Sequence, residues 1–217
     1  HVLLFPEDPR ECFEHTAAAL DLADPLQTPV FVMTDLDIGM NQRLCEPLTW
    51  DDARQYDRGK VMTAEDLETH DFGRYKDVDG DGIPWRTLPG THPTKGSYFT
   101  RGTTRNAYAV YSERGPDYIY NVERLLKKFA TAATLVPQPV LRPAAKRTRL
   151  GVIYYGSTSP AMQEALDVLA GQGIHLDALR LRAFPFPDSV RQFIAEHDRV
   201  FVVEQNRDAQ MRTLLMS

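Results

Sequence analysis

Two patterns of apolar and polar residues alternate near the start of the chain. Val2–Phe5 and Val30–Met33 are short continuous apolar runs, which favour buried strands. Between them, residues 9–24 carry apolar side chains at helical spacing, and Asp8 and Pro9 supply the cap and the first turn of that helix. The order strand, helix, strand with short connections predicts a parallel sheet.

The regular pattern is lost between residues 41 and 115. Gly, Pro, Asp, Thr and Arg crowd this segment, and a structureless stretch of that length is rare in a compact domain unless it is functional or lies on a partner. Helical spacing returns from Pro116 to about Leu135. The apolar face of this amphipathic helix consists of Tyr118, Val122, Leu125, Leu126, Phe129 and Ala133.

Residues 136–149, VPQPVLRPAAKRTR, form a proline-rich and basic linker that predicts a domain boundary. Strands and helices then alternate regularly. The predicted strands are Leu150–Tyr155, Ile174–Leu181 and Val200–Glu204, and the predicted helices are 159–170, Asp188–Glu196 and Asp208–Met216. The expected fold class is α/β, in four parts: 1–40, 41–135 with its helix, the linker 136–149, and an incomplete open α/β domain at 150–217.

Composition and charge exclude several classes of protein. The chain has 217 residues, 42% of them apolar, and a net charge of −5, which gives no reason to expect nucleic acid or an anionic membrane as a partner. No apolar run is long enough to span a membrane. Cys12 and Cys45 are too few for a disulfide scaffold or a cysteine-ligated iron–sulfur cluster. Because the chain starts without Met and stops inside a predicted helix, we expect it to be a piece of a larger protein.

Residues 77–84, DVDGDGIP, contain the spacing of a calcium loop. Asp77, Asp79 and Asp81 stand where oxygen ligands are needed and Gly82 stands at the turn, but Leu88 replaces the final glutamate. Three carboxylates this close repel one another unless a cation or solvent neutralises them. A bound metal and a solvated acidic turn are therefore both open readings.

The same residues contain a second motif. Gly80-Asp81-Gly82, followed by Asn106, resembles the motif with which other enzymes hold magnesium and thiamine diphosphate. That motif follows a buried strand, whereas DFGRYKDV precedes it here. We interpret the match as chance and do not expect this chain to bind the diphosphate itself.

Three further polar groups are candidate sites. His92, Lys95, Arg101 and Arg105 lie in one loop, which is typical of a carboxylate or phosphate site and equally of a solvated basic loop. Gly156-Ser157-Thr158-Ser159 opens a predicted helix, where it indicates either an anion site or a simple helix cap. Glu204-Gln205-Asn206 follows a strand, at the edge of a sheet where α/β proteins place ligands.

Several stretches resemble one family. They are ECFEHTAAALDLADPLQTPVFVMTDLDIGMN, DGDGIPWRTLPGTHPTKGSYFTRGT, YGSTSPAMQEAL, LRAFPFPDSV and VFVVEQNRDAQMRTLL. In order and combination they resemble the alpha subunit of 2-oxoacid:ferredoxin oxidoreductases, and most of all that of 2-oxoglutarate:ferredoxin oxidoreductase. The resemblance implies that 1–40 ends a thiamine pyrimidine-side domain and that 150–217 begins a transketolase C-terminal-like domain.

The resemblance also implies an activity. Such an enzyme converts 2-oxoglutarate to succinyl-CoA and carbon dioxide and passes the electrons to ferredoxin. Thiamine diphosphate, magnesium and an iron–sulfur cluster are held mainly by the beta subunit, and the cytoplasmic enzyme is an assembly of several alpha–beta heterodimers. Pyruvate or a branched-chain 2-oxoacid as substrate is an alternative within the family. A non-catalytic, calcium-stabilised interaction module is the alternative outside it.

The resemblance supplies expectations for particular residues. His92, Lys95 and Arg101 are candidates for the approach of substrate or CoA, and Glu204 and Asn206 for contact with a subunit or cofactor domain. The Tyr-Pro-x-Thr-Pro stretch of the family is absent from these residues, so no catalytic residue is assigned. The chain alone is therefore expected to be inactive.

Overall fold

The computed structural model describes all 217 residues and confirms the α/β class. The strands are β1 (Val2–Leu4), β2 (Val30–Val32), β3 (Val140–Arg142), β4 (Leu150–Tyr155), β5 (Asp177–Leu181), β6 (Ala183–Phe184) and β7 (Arg199–Val203). The helices are α1 (Pro9–Leu26), α2 (Leu36–Met40), α3 (Ala64–Thr69), α4 (Gly115–Leu135), α5 (Ser159–Gly171), α6 (Asp188–Glu196) and α7 (Gln210–Met216).

Two mixed sheets contain all seven strands. In the first, of order β2-β1-β6, β1 runs parallel to β2 with Val2 opposite Val30, as the strand–helix–strand pattern predicts. The strand β6 pairs with β1 in the antiparallel direction. In the second, of order β3-β5-β4-β7, β4 lies between β5 and β7 and is parallel to both. This parallel core places the carboxyl ends of β4, β5 and β7 at one edge.

Parts of the chain that the pattern left irregular contain regular structure. Residues 140–142, inside the predicted linker, form β3, which pairs antiparallel with β5. Pro139 and Pro143 flank β3 and hide it in the sequence, because proline is tolerated only beside or at the edge of a sheet. The short helix α3 begins at Thr63, which forms a capping box with Asp66.

The contacts divide the chain into two compact units. The first contains residues 1–20, 29–53 and 136–217, and the second contains 21–28 and 54–135. The main core of the first unit is made of Phe5, Ile153, Leu179, Leu181, Val190, Phe193 and Met211. The assignment of 1–40, 41–135, 136–149 and 150–217 to separate domains of the family stays a prediction.

A buried ion pair fastens α1 to the sheet of the first unit. Arg180 on β5 donates to both carboxylate oxygens of Glu11, at 2.7 and 2.9 Å, and Arg182 donates to the same carboxylate at 3.0 Å. Glu11 and Arg180 are both almost fully buried. A charge pair this deep is tolerated because two guanidinium groups satisfy the carboxylate with several hydrogen bonds.

The helix α4 turns an unexpected face towards the interior of the second unit. Its buried residues are Arg124, Lys128 and Ala132, whereas Leu126 of the predicted apolar face is 67% exposed and Tyr118 is 56% exposed. The expectation that the apolar face makes the packing contact is therefore wrong for this unit. The polar face is buried because it bonds the backbone of the acidic turn.

That turn, residues 77–84, lies directly against α4. Arg124 donates to the carbonyl of Gly82 at 3.0 Å, and the hydroxyl of Thr131 donates to the carbonyl of Asp81 at 2.7 Å. The hydroxyl of Tyr120 accepts from the amide of Asp77 at 2.9 Å.

None of the helices has both the length and the apolar character needed to cross a membrane.

Candidate functional site

A cleft of about 550 Å³ opens at the carboxyl ends of β4 and β7 in the first unit. This is the edge at which open parallel sheets bind their ligands. Its apolar lining consists of Leu3, Phe5, Met33, Leu36, Tyr155, Met211 and Leu214, and its polar lining includes Asp35, Asp37, Thr158, Gln205, Asn206 and Gln210. No histidine, cysteine or lysine lines the cleft, so it has no thiol or amine nucleophile, and its candidate proton acceptors are the carboxylates of Asp35 and Asp37.

A chain of hydrogen bonds joins the two polar segments that the sequence singled out in this part of the chain. The hydroxyl of Ser157 donates to Asp35 Oδ2 at 2.5 Å. The side-chain amide nitrogen of Gln205 donates to the Ser157 hydroxyl at 3.3 Å and to the Thr158 hydroxyl at 3.2 Å. The segment after β4 and the segment after β7 are thus brought together, with Asp35 as a third member.

Asp35 fills the position that an external anion would take before α5. Burial raises the pKa of this carboxyl, but hydrogen bonds from the Ser157 hydroxyl and from the amides of Ile38, Asp37 and Ser157 outweigh burial and leave the pKa below its ordinary value. The same side chain caps α2 through the Ile38 amide at 3.0 Å. The anion at this turn is therefore a side chain of the protein itself.

The sequence reading missed Asp35, although a signal was present. Met33-Thr34-Asp35 follows β2 directly, as Glu204-Gln205-Asn206 follows β7, and both are polar segments at strand ends. The expected simple cap of α5 is not observed, since no side chain caps this helix. Gly156 fits the turn because its φ of +61° is one that glycine adopts without strain.

Asn206 lines this cleft, and both Glu204 and Asn206 hydrogen-bond the backbone at the start of α7. The carboxylate of Glu204 accepts from the amides of Met211 at 2.9 Å and Arg212 at 3.2 Å. The side-chain oxygen of Asn206 accepts from the amides of Asp208 and Gln210, both at 3.2 Å. Burial raises the pKa of Glu204, but these hydrogen bonds outweigh it and lower the pKa overall. Both side chains thus stabilise the amino end of a helix.

The three aspartates of the acidic turn do not form a metal cage. Lys60 places its ammonium 2.6 Å from Asp79 and 2.8 Å from both carboxylate oxygens of Asp81. Asp77 instead accepts from the amides of Gly80 and Gly82. No group of three acidic, histidine or cysteine side chains in the structure could hold a metal ion. In this arrangement a lysine supplies the positive charge beside Asp79 and Asp81, and a metal ion at these residues stays a prediction.

The basic loop is only partly gathered. His92 and Lys95 both contact Glu68, at 2.7 and 2.5 Å, and they line a pocket of about 380 Å³ in the second unit. Arg101 is not part of this pocket; its guanidinium lies 5.7 Å from the centre of the Tyr111 ring and forms no ion pair. The structure therefore joins two of the three predicted residues.

Known proteins resemble this chain over nearly its whole length. No family model matches it. The alpha subunit of 2-oxoacid:ferredoxin oxidoreductase 1 from Sulfurisphaera tokodaii is 26% identical over 220 residues, covering 99% of this chain and 33% of that protein. The alpha subunits from Saccharolobus solfataricus and Aeropyrum pernix are each 24% identical and align with 94% and 99% of the chain. The chain is a homologue of 2-oxoacid:ferredoxin oxidoreductase alpha subunits.

This finding confirms the resemblance given by the sequence, and the chain spans about a third of the length of these alpha subunits. A solved structure of 2-oxoglutarate:ferredoxin oxidoreductase from Magnetococcus marinus, with 2-oxoglutarate, coenzyme A and succinyl-CoA bound, matches with a TM-score of 0.75 and 19% identity. The match covers 99% of this chain and 36% of that one. At this identity it establishes a shared fold.

The cofactors implied by the alpha-subunit family do not fit the residues of this chain. A magnesium diphosphate would need the oxygens of Asp81 and Asn106, but Asp81 is held by Lys60 and by the amide of Ile83. The side-chain oxygen of Asn106 accepts from the amides of Tyr108 and Val110. The two cysteines are too few to ligate an iron–sulfur cluster. No catalytic step is therefore assigned to these residues.

Proposed function

We propose that this chain is part of the alpha subunit of a CoA-acylating 2-oxoacid:ferredoxin oxidoreductase. The complete enzyme oxidatively decarboxylates 2-oxoglutarate, forms succinyl-CoA and reduces ferredoxin. Its thiamine diphosphate, magnesium and iron–sulfur cluster are held mainly by a beta subunit, and several alpha–beta heterodimers assemble in the cytoplasm. The observation that carries the proposal is the alignment of 99% of the chain with an alpha subunit.

The chain contributes scaffold and subunit contacts rather than catalytic groups. The cleft at the carboxyl ends of β4 and β7 has no thiol or amine nucleophile. In the segment 41–115, large apolar side chains face solvent: Leu44 is fully exposed, Phe99 is 80% exposed, and Leu48 is 50% exposed. Large apolar side chains left exposed on a folded chain favour a contact with another protein. We therefore assign this segment to the contact with the beta subunit.

The basic loop is the part of the chain proposed to meet substrate or CoA. Arg101 is exposed and forms no ion pair, so its guanidinium is available to a carboxylate or phosphate. His92 and Lys95 line the pocket of about 380 Å³, and each contacts the carboxylate of Glu68. Glu204 and Asn206 act less directly, because they fix the start of α7 for contact with a neighbouring domain.

The decisive test compares this chain with the complete alpha reading frame, each expressed with the beta subunit. CoA-dependent reduction of ferredoxin is measured with 2-oxoglutarate, pyruvate and 2-oxoisovalerate as alternative substrates. We expect turnover from the complete alpha–beta enzyme, fastest with 2-oxoglutarate, and none from the 217-residue chain alone. Faster turnover of pyruvate or 2-oxoisovalerate would move the proposal to the alternative substrates.

Two further results would contradict the proposed role. Turnover by the 217-residue chain alone, with thiamine diphosphate, magnesium and CoA added, would show that it carries catalytic groups. An alpha subunit lacking residues 41–115 that still co-purifies with the beta subunit would remove the proposed contact. A deletion within the linker region, residues 144–148, serves as the control that should leave co-purification intact.

A further inference from the structure

Three arginine side chains surround one aromatic ring in the second unit. The guanidinium carbons of Arg74, Arg105 and Arg124 lie 5.4, 5.2 and 5.6 Å from the centre of the Tyr75 ring. A cation is attracted to the face of an aromatic ring, but a ring carries no net charge to balance three cations. No carboxylate lies within ion-pair distance of any of the three arginines, although sixteen other basic side chains of the chain have such partners.

Two of these guanidinium groups contain unused hydrogen-bond donors. Arg124 is only 6% exposed, and its one hydrogen bond goes from Nη1 to the carbonyl of Gly82. Arg105 donates through Nη2 to the carbonyl of Gly102 at 2.7 Å. The Nε atoms of both arginines are buried and have no partner. A buried donor without an acceptor destabilises the fold, so an acceptor that supplied both charge and lone pairs would be bound favourably.

The surroundings add positive charge to this cluster. Lys128, also 6% exposed, lies one helical turn beyond Arg124 on α4, and its nearest acceptor is the carbonyl of Gln27 at 3.5 Å. Asp77 is the carboxylate whose charge acts on Arg124. Its Oδ1 accepts from the amides of Gly80 and Gly82 at 3.0 and 3.1 Å, and its Oδ2 lies 3.9 Å from the ammonium of Lys127. The cluster is therefore not neutralised by the chain itself.

We propose that Arg74, Arg105 and Arg124 form a binding site for a phosphate group, such as a phosphate monoester. A phosphate dianion has two charges and three free oxygens, which three guanidinium groups can share, whereas a carboxylate has one charge and two oxygens. Arg74 and Arg105 are half-buried whereas Arg124 is almost fully buried, so a ligand would approach from the side of Arg74 and Arg105. The site rests on these contacts alone and is independent of the proposed oxidoreductase activity.

Titration of the full chain with inorganic phosphate tests this site. Calorimetry is performed at low ionic strength, with sulfate, acetate and chloride as parallel ligands, and the Nε–H signals of arginine are followed by nitrogen-15 NMR. We expect saturable binding of phosphate, similar binding of sulfate, and binding of acetate weaker by about tenfold or more. The Nε–H signals of Arg105 and Arg124 should shift with the same saturation curve.

Matched variants locate the binding. Arg74→Gln and Arg105→Gln should each weaken phosphate binding by about tenfold, and Arg105→Lys should weaken it less because the charge remains. Arg147→Gln is the control, since Arg147 is exposed and lies outside the cluster. If Arg105→Gln does not fold, judged by circular dichroism, the Arg74→Gln result decides.

Three results would overturn the site. They are the absence of saturable binding at millimolar phosphate, binding that Arg74→Gln and Arg105→Gln leave unchanged, and acetate binding as strong as that of phosphate. The second result would show an adventitious ion only. The third would replace phosphate by a carboxylate, including one carried by a partner protein.

Discussion

Buried charges in this protein fall into two kinds that differ in their partners. Glu11 is enclosed together with Arg180 and Arg182, so opposite charges and hydrogen bonds compensate its burial. Arg124 and Lys128 are buried as deeply and have only carbonyl oxygens as hydrogen-bond acceptors. The first kind stabilises the fold as long as the carboxylate is ionised. The second kind destabilises the fold as long as the cation is charged.

Glu11→Gln should destabilise the first unit by about 3 kcal/mol at neutral pH, because the buried Arg180 would lose its bidentate carboxylate and keep only Glu7 at 3.2 Å, and Arg182 would lose its carboxylate partner. Burial raises the pKa of Glu11, but the hydrogen bonds and charge of Arg180, with the charge of Arg182, lower it from 4.5 to about 2. Since the folded-state pKa is depressed, the stabilisation is complete above pH 4.5 and is lost as the pH falls towards 2.

The measurement is urea denaturation at several pH values, followed by the fluorescence of Trp50 in a Trp85→Phe background. Trp50 lies in the first unit, 5.9 Å from the ring of Phe13 on α1. The difference between Glu11→Gln and its parent should shrink as the pH falls. Glu14→Gln, which removes an exposed i,i+4 pair with Arg10, should have little effect. A pH-independent difference would contradict the assignment.

Lys128→Met should stabilise the second unit by about 2 kcal/mol at neutral pH. Burial, with the charges of Arg124 and Arg74, lowers the pKa of Lys128 from 10.5 to about 8. The unfolded chain therefore binds more protons between these values, and stability rises with pH across that window. The advantage of the Met variant, measured by urea denaturation, should accordingly disappear between pH 8 and pH 10.5. Lys127→Met, at a 60% exposed side chain, is the control.

At the scale of elements, the acidic turn 77–84 is a packing turn for α4. Its backbone carbonyls accept hydrogen bonds from the side chains of Arg124 and Thr131, and its backbone amides donate to the carboxylates of Asp77 and Asp81. Gly80 and Gly82 both have positive φ, at +78° and +79°. Their surroundings differ. A Cβ on Gly80 would meet nothing within 4 Å, whereas a Cβ on Gly82 would lie 2.3 Å from the backbone nitrogen of Lys128.

These two glycines provide a matched test of the packing. Gly80→Ala should destabilise by about 1 kcal/mol, the strain of a left-handed alanine. Gly82→Ala adds a clash with the backbone of α4 that no side-chain movement relieves, so the loss should exceed 3 kcal/mol by order of magnitude. Urea denaturation followed by Trp85 in a Trp50→Phe background measures both. Equal losses for the two variants would show that the turn does not press on α4.

At the scale of the whole molecule, two compact units carry different candidate sites. The first unit contains the cleft at the carboxyl ends of β4 and β7, where Asp35, Ser157 and Gln205 form hydrogen bonds with one another. The second contains the acidic turn, the basic loop and the arginine cluster. None of these sites supplies a complete catalytic constellation. The chain spans about a third of the length of its relatives and exposes large apolar side chains, the two observations on which the proposed contact role rests.

Calcium should leave the thermal unfolding of the whole chain unchanged. The carboxylates of Asp79 and Asp81 are already paired with Lys60, and no three acidic groups converge elsewhere. Differential scanning calorimetry with millimolar calcium, and with magnesium as control, measures this. An upward shift of the melting temperature specific to calcium would restore the interaction-module alternative.

The local sequence pattern predicted most helices and strands, including α6 at Asp188–Glu196 and the parallel pairing of β1 with β2. These features depend on periodicity, caps and proline positions within a few residues. The sequence also showed the family resemblance, because the matching stretches are short and occur in the same order along the chain. The edge strand β3 was lost because its stabilising partner, β5, lies more than 30 residues away in sequence.

Tertiary contacts decided the rest. Asp35 and Ser157 are 122 residues apart in sequence, and Glu11 and Arg180 are 169 apart, so no local pattern could pair them. The buried face of α4 is polar because the turn at 77–84 offers backbone carbonyls to it, which a count of apolar residues cannot foresee. In the folded chain Lys60 pairs with Asp79 and Asp81, two of the predicted metal ligands. Three arginines from different parts of the sequence likewise lie near the ring of Tyr75.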